Sequence, residues 1–295
     1  MAAERRENIT GPSNQAAFAF VQALAREMSG GKIEIPCFPD VALRIRQVLA
    51  DDNCNSSQVA KVVGAEPGMS AKLLQIANSA ALNPAGAPIT ELKSAIARIG
   101  FSNVRTASLA YAMQQLRNAE SLASIRQPLN DLWERCVKVA AMAYVAARRW
   151  TRVSPDKALL AGLMHGVGHV YILARSAEHP ELFSDPGAYQ RIVDDWHAAI
   201  AKAVLESWEM SPDIVAAVEQ FEQPDRDGSD DADLTDVLSI ASRLVTLQGA
   251  DPAMIEAQLA GSFASIRMGL TPQSCQKALE ETADELASLH AALGG

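Results

Sequence analysis

The sequence predicts an all-α fold, on three observations. Apolar residues recur at i, i+3 and i+4 along most of the chain, the pattern of amphipathic helices. Pro, Ser, Asn and Thr sit where such runs begin and Gly where they end, which is how helices start and stop. No stretch sustains the period-two alternation with β-branched enrichment that strands require. With 295 residues, 48% of them hydrophobic, the chain can bury a sizeable core. A prior of about 150 residues per domain allows roughly two domains.

Phe18, Val21, Leu24, Ala25 and Met28 predict a first helix over 14–29, stopped by Gly30 and Gly31. Residues 32–39 then form a linker. Three short helices follow: one carries Val41, Ile45, Val48 and Leu49, the next Val59, Val62 and Val63 after Asn55-Ser56-Ser57, and the third Leu73, Leu74 and Ile76. Each is too short to be stable alone and must pack on the others. Residues 83–88 make a turn, and Thr90 is expected to cap a helix with Leu92, Ala95, Ile96 and Ile99 that Gly100 closes. Another helix runs from Ser102 towards Leu116. Pro128 is expected to open a long helix, with Leu132, Trp133, Cys136, Val137, Ala140 and Val145, that ends near Trp150. Pro155 begins one that carries Leu159, Leu160, Leu163, Val167, Val170 and Tyr171. Further helices cover Ile200 to Trp208, Ile214 to Phe221 and Leu234 to Leu247, and a closing amphipathic helix spans Pro272 to Leu293.

Charge and composition narrow the function classes. A net charge of −9 and a pI near 5.1 repel polyanions, so nucleic acid is not expected as a main partner. The start mixes both signs of charge, and the apolar stretch Ala16 to Ala25 is interrupted by Gln22, which reads as an amphipathic helix and not a signal peptide. The longest strictly apolar run, Val139 to Ala147, falls short of the roughly 20 residues that cross a bilayer. No membrane partner and a cytoplasmic location are expected. Cys37, Cys54, Cys136 and Cys275 are scattered without a CxxC pair, so they read as free buried or half-buried thiols.

Several motifs bear on chemistry. His165 and His169 in Met164-His165-Gly166-Val167-Gly168-His169 would lie on one face of a continuous helix. Two ligands do not complete a metal site, and Gly166 stands where a zincin has its Glu. Gly30-Gly31-Lys32-Ile33 lacks the upstream Gly and the Ser or Thr of a phosphate loop. No GxSxG elbow occurs. The acidic stretch Pro224 to Asp233 lacks the alternating ligands of a calcium loop and reads as a solvated connector. Trp133, Trp150, Trp196 and Trp208 lie on or beside apolar helix faces, where packing is their expected use.

Three segments carry a family resemblance: Phe38 to Ile45 (FPDVALRI), Glu66 to Ser79 (EPGMSAKLLQIANS) and Leu92 to Gly100 (LKSAIARIG). Together they resemble the HDOD domain, over about Cys37 to Val245. The resemblance implies an all-helical output domain, with an N-terminal helical part (37–118) packed on an HD-like bundle (125–248). A helix and linker (1–36) precede it and a helical extension (249–295) follows it. It also implies a vestigial pocket. Where related metal phosphohydrolases have a histidine, a His-Asp doublet and a later aspartate, this chain is matched to Arg135, His165, Gly166 and Ser242. His169 stands where those enzymes commonly have a lysine. One ligand of four survives, and Arg135 would bring positive charge where a metal needs carboxylates. The expectation is a non-catalytic signalling module with no metal and no cofactor, whose partner is a signalling protein. Alanine-rich helix surfaces leave room for a homodimer. Two alternatives stay open: a phosphohydrolase with substitute ligands His165, His169, His197 and Asp194 or Asp195, and a nucleotide sensor in which Arg135 pairs with a phosphate.

Overall fold

A computed structural model of the protein describes residues 12–30, 33, 35, 40–51, 53–78, 86–180, 182, 185–223, 231–259, 262–281 and 287. The regular structure among the described residues is α-helical or 3-10 helical, with no strand among them, as the periodicity predicts. The Cys37 thiol, most of the 32–39 linker, residues 83–85 of the turn, residues 224–230 of the acidic connector and nearly all of 282–293 lie outside the described residues.

The first helix, α1, spans Pro12–Ser29, and three short helices follow it: α2 (Asp40–Leu49), α3 (Ser56–Val63) and α4 (Pro67–Ala77). Asn55 caps α3 in a reciprocal capping box with Gln58, which satisfies two otherwise orphaned donors. The next helix, α5 (Leu92–Asn118), runs through Gly100 instead of ending there, and bends at that residue with φ 78°. That backbone conformation is open to glycine because it has no Cβ. Its N-cap is Glu91 and not the expected Thr90.

A 3-10 helix, Glu120–Ile125, leads into α6 (Arg126–Trp150). Pro128 therefore lies inside the first turn of α6 and does not open it; its missing N–H is one a helix start leaves unpaired anyway. The helix expected from Pro155 through Tyr171 is two helices, α7 (Pro155–Met164) and α8 (Val167–Ser176), with His165 and Gly166 between them. The remaining helices are α9 (Pro186–Ser207), α10 (Pro212–Gln220), α11 (Leu234–Thr246), α12 (Pro252–Leu259), α13 (Phe263–Arg267) and α14 (Pro272–Glu281). Helix α9 begins well before Ile200 because Asp185 caps it and Pro186 takes its first position.

The buried side chains form two cores. The smaller joins Val41 and Ile45 of α2, Val59 and Val63 of α3, Met69 and Leu73 of α4, and Ile96, Ile99 and Val104 of α5. The larger is built on α6 to α11 and takes in Phe20 and Leu24 of α1. The Glu27 carboxylate of α1 accepts hydrogen bonds from the Tyr171 hydroxyl and, at 2.9 Å, from Arg175 Nη2. Two glycines set the closest helix approaches. A Cβ on Gly162 would lie 2.4 Å from Ala140 Cα, and one on Gly168 2.0 Å from the His197 carbonyl oxygen. Bare backbone at these positions lets α7 close on α6 and α8 on α9.

The segment Pro155–Ser176 has the length and apolar composition of a membrane-crossing helix, but 89% of its apolar window is buried inside the protein. Its hydrophobicity is thus used in the core. Trp133 and Trp208 are buried, and Trp150 and Trp196 half-buried, against the larger core. Cys136 and Cys275 are buried and Cys54 half-buried, all three as free thiols.

Candidate functional site

The α7–α8 break defines the site. His165 ends α7 and Gly166 precedes the first turn of α8, so His165 and His169 do not continue one helical face. His165 is 6% exposed. Its Nδ1 lies 2.6 Å from the Gly162 carbonyl oxygen, and since a carbonyl only accepts, Nδ1 carries the hydrogen. Its ring meets Phe221 edge-on at 5.6 Å. Burial, with the positive charge of Arg135 adding to it, pulls the His165 pKa down to about 4, so the ring is neutral at physiological pH.

His169 turns to α9, where its ring lies 4.6 Å from that of His197. Burial first, and then the His197 and His165 charges, also lower its pKa to about 4. His197 has the opposite character. Its Nε2 is 3.0 Å from Glu222 Oε2 and its Nδ1 is 2.8 Å from the Val193 carbonyl oxygen. Both partners are acceptors, so both ring nitrogens donate, which is the imidazolium form. The Glu222 hydrogen bond accordingly raises the His197 pKa, and the same bond lowers that of Glu222.

Arg135 of α6 sits at the rim and is exposed. Its Nη2 donates to Ser242 Oγ at 3.2 Å and its Nη1 to Thr246 Oγ1 at 3.4 Å, both on α11. The charge expected inside the pocket is therefore held across its mouth by two hydroxyls. Gly166 has no free space beside it: a Cβ there would lie 2.6 Å from Cys136 Sγ and 3.3 Å from Leu132 Cδ1. Burial pushes the Cys136 thiol up to about 12, which leaves it without nucleophilic thiolate.

The structure thus brings Arg135, His165, Gly166, His169 and Ser242 to one region. It joins His197 to them but not the proposed carboxylates. Asp194 and Asp195 are exposed on α9, and Asp194 accepts from Gln190 Nε2 at 2.8 Å. The carboxylate that reaches His197 is Glu222, which sequence reasoning missed. Nothing local marks it, because it lies 25 residues from His197. The place of Cys136 beside Gly166 likewise depends on how α6 meets the α7–α8 break.

A divalent ion of the HD type does not fit these residues. At the four matched positions stand an exposed guanidinium, a histidine whose Nδ1 is committed to a carbonyl, a glycine whose side-chain space is filled by sulfur, and a hydroxyl that already accepts from Arg135. Among the described residues, no group of three or more His, Cys, Asp or Glu side chains is arranged to hold a metal ion.

The helical fold is that of the HD-related class. More particularly, the chain belongs to the HDOD family, whose domain model matches residues 35–224. The match ends before α11, so Ser242 lies beyond it. Among solved structures, a Shewanella amazonensis protein provisionally described as a metal-dependent phosphohydrolase superposes with a TM-score of 0.73 at 23% identity, covering 95% of this chain and 99% of its own. A Geobacter sulfurreducens HDOD domain protein of unknown function gives 0.63 at 21%, covering 92% and 96%. A Marinobacter aquaeolei protein provisionally described as acting in signal transduction gives 0.59 at 18%, covering 97% and 67%. At these identities the likeness is one of fold. Comparison with curated proteins gives no match.

Proposed function

We propose that this chain is a non-catalytic HDOD module that regulates bacterial signalling in the cytoplasm by docking on another signalling protein, with no metal and no cofactor of its own. The observation that carries the reading is the filled pocket. Cys136 and Leu132 take the space beside Gly166, and Arg135 is tied across the mouth to Ser242. A hydrolase of this kind generates its nucleophile on a metal held by carboxylates and imidazoles, and here two matched positions are a cation and a bare backbone. The signalling context draws support from the family and from the description of the Marinobacter aquaeolei protein. Pairing of two copies through helical faces is part of the same proposal.

A second reading, a phosphohydrolase with substitute ligands, is favoured by the description of the Shewanella amazonensis protein and by the proximity of His169 to His197. One experiment separates the two: elemental analysis of the protein purified with manganese present, beside a phosphodiesterase assay. The regulatory reading expects substoichiometric metal and no turnover. Stoichiometric manganese with turnover that is lost on His169→Ala would establish the hydrolase.

A further inference from the structure

Helix α1 is lightly held. It lies outside the segment matched to the family domain, which begins at residue 35. Among its described side chains Phe20 and Leu24 alone are buried, whereas α6 and α11 bury residues along nearly their whole length. An exposed glycine, Gly30, follows α1, and the chain enters the larger core again at Ile33 and Ile35. A helix resting on two apolar side chains, with the chain anchored separately just beyond it, is an element that opens locally without unfolding the rest.

What α1 covers is chemically specific. It packs along α9 and reaches α8, where Tyr171, Arg175 and, just past the helix end, His179 recur at every fourth residue. Phe20 meets the His179 ring edge-on at 5.6 Å. Seven residues on, the Glu27 carboxylate accepts from the buried Tyr171 hydroxyl and, at 2.9 Å, from Arg175 Nη2. The Arg175 guanidinium also lies 5.6 Å from the centre of the Tyr171 ring. Among the described residues, the carboxylate paired with Arg175 is that of Glu27. The two side chains are 32% and 30% exposed, so the pair is screened by solvent and reversible. Phe20, Leu24 and Glu27 stand at i, i+4 and i+7, one face of the helix.

We propose that the seat of α1 on α8 and α9 is the docking surface of the regulatory module, and that α1 holds it in cis until an amphipathic helix of the partner displaces it. The partner helix carries an aromatic residue, an aliphatic one four positions on and a carboxylate seven positions on, the pattern by which α1 itself is held. Charge complementarity selects it. Once α1 leaves, the Tyr171 hydroxyl and Arg175 need an acceptor, which a carboxylate supplies, and a basic residue in its place would face the guanidinium. The tethered helix competes at high effective concentration, so the surface stays closed to weak or ill-matched helices. The inference rests on the regulatory reading for the existence of a partner.

The test uses the full chain, amide hydrogen exchange, and a fluorescent synthetic peptide of residues 12–29 as probe, in the natural sequence and with Glu27→Lys. In the unaltered chain the α1 amides should exchange about tenfold or more faster than those of α6. Full-length Glu27→Lys, which sets α1 against Arg175, should bind the natural peptide saturably and about tenfold or more tightly than the unaltered chain does. It should bind the Glu27→Lys peptide about tenfold or more weakly than the natural one. Full-length Leu24→Ser, which loosens α1 through its apolar contact, should behave in the same way. Exchange of α1 as slow as that of α6, no peptide binding by either variant, or equal binding of the two peptides would overturn the proposal. Loss of the cooperative fold in both variants would also overturn it, since α1 would then be part of the core. A dimer of the Glu27→Lys chain that shuts out the peptide would overturn it by giving the seat to a second copy. Metal with turnover would instead sink the regulatory reading and leave the peptide results unchanged, so the two failures are distinguishable.

Discussion

The two ends of the candidate pocket are held in different ways. At the α6–α11 end the Arg135 guanidinium is pinned by the Ser242 and Thr246 hydroxyls. At the α8–α9 end imidazoles persist, and their protonation is divided. His197 is held as imidazolium by Glu222, while His165 and His169 are kept neutral by burial and by neighbouring positive charge. The difference teaches that neighbouring imidazoles can favour opposite protonation states, according to whether an acid lies within hydrogen-bond reach or only burial and positive charge act on them.

The comparison is most easily broken at the α8–α9 contact. Gly168→Ala would set a methyl group 2.0 Å from the His197 carbonyl oxygen, and backbone cannot swing aside as a side chain can. We expect a loss of about 3 kcal/mol or more in denaturant unfolding. A near-neutral result would mean that α8 and α9 are not closely packed.

Acid should act on the histidine end alone. The folded values of His165 and His169, about 4, lie below the ordinary 6.5, so the unfolded chain takes up these protons first. Their stability is complete above pH 6.5 and is lost as pH falls from there to about 4. His165, the more buried, accounts for about 3 kcal/mol of this. His197 runs the other way: with its value raised, its contribution is full below 6.5 and fades as pH climbs through its folded pKa. Urea unfolding at pH 7.5, 5.5 and 4 (chosen to bracket these values) should give falling stability, and a flat profile would remove the neutral-histidine assignment.

An aspartate at position 166 tests the filled space. Gly166→Asp should cost about 2 kcal/mol, because Cys136 Sγ and Leu132 occupy its side-chain volume. Adding Cys136→Ala should recover part of that loss, a coupling that a double-mutant cycle reads directly. Strict additivity would show that the two positions do not meet.

The smallest effects set the two ends against each other. Glu222→Gln should lower the His197 pKa, whereas Arg135→Gln should raise those of His165 and His169, each followed by NMR titration of the ring protons. Glu222 is 55% exposed on its side chain, so its removal should cost no more than about 1 kcal/mol. Shifts of the same sign in both variants would collapse the distinction between the ends.

Much of the fold was legible locally. The helical period of the apolar residues, the Asn55 cap and the FPDVALRI and EPGMSAKLL segments act within a few residues, and the structure and the family match bear them out; Gly100, expected to end a helix, only bends one. Asp185-Pro186 was an equally local start signal for α9 that the periodicity reading passed over. The α7–α8 break was not legible, because His165 and Gly166 keep near-helical backbone and the apolar pattern runs on through them.

The sequence by itself determined that this chain is helical, that it belongs with HDOD proteins, and which side chains stand at the matched pocket positions, since these depend on residue type and short-range spacing. Only the tertiary structure decided that Glu222 reaches His197, that Cys136 fills the space beside Gly166, that Arg135 lies across the mouth and that Glu27 reaches Tyr171 and Arg175. These are meetings of segments tens of residues apart or more, fixed by how helices close on bare glycine and alanine backbone, and no local pattern encodes that distance.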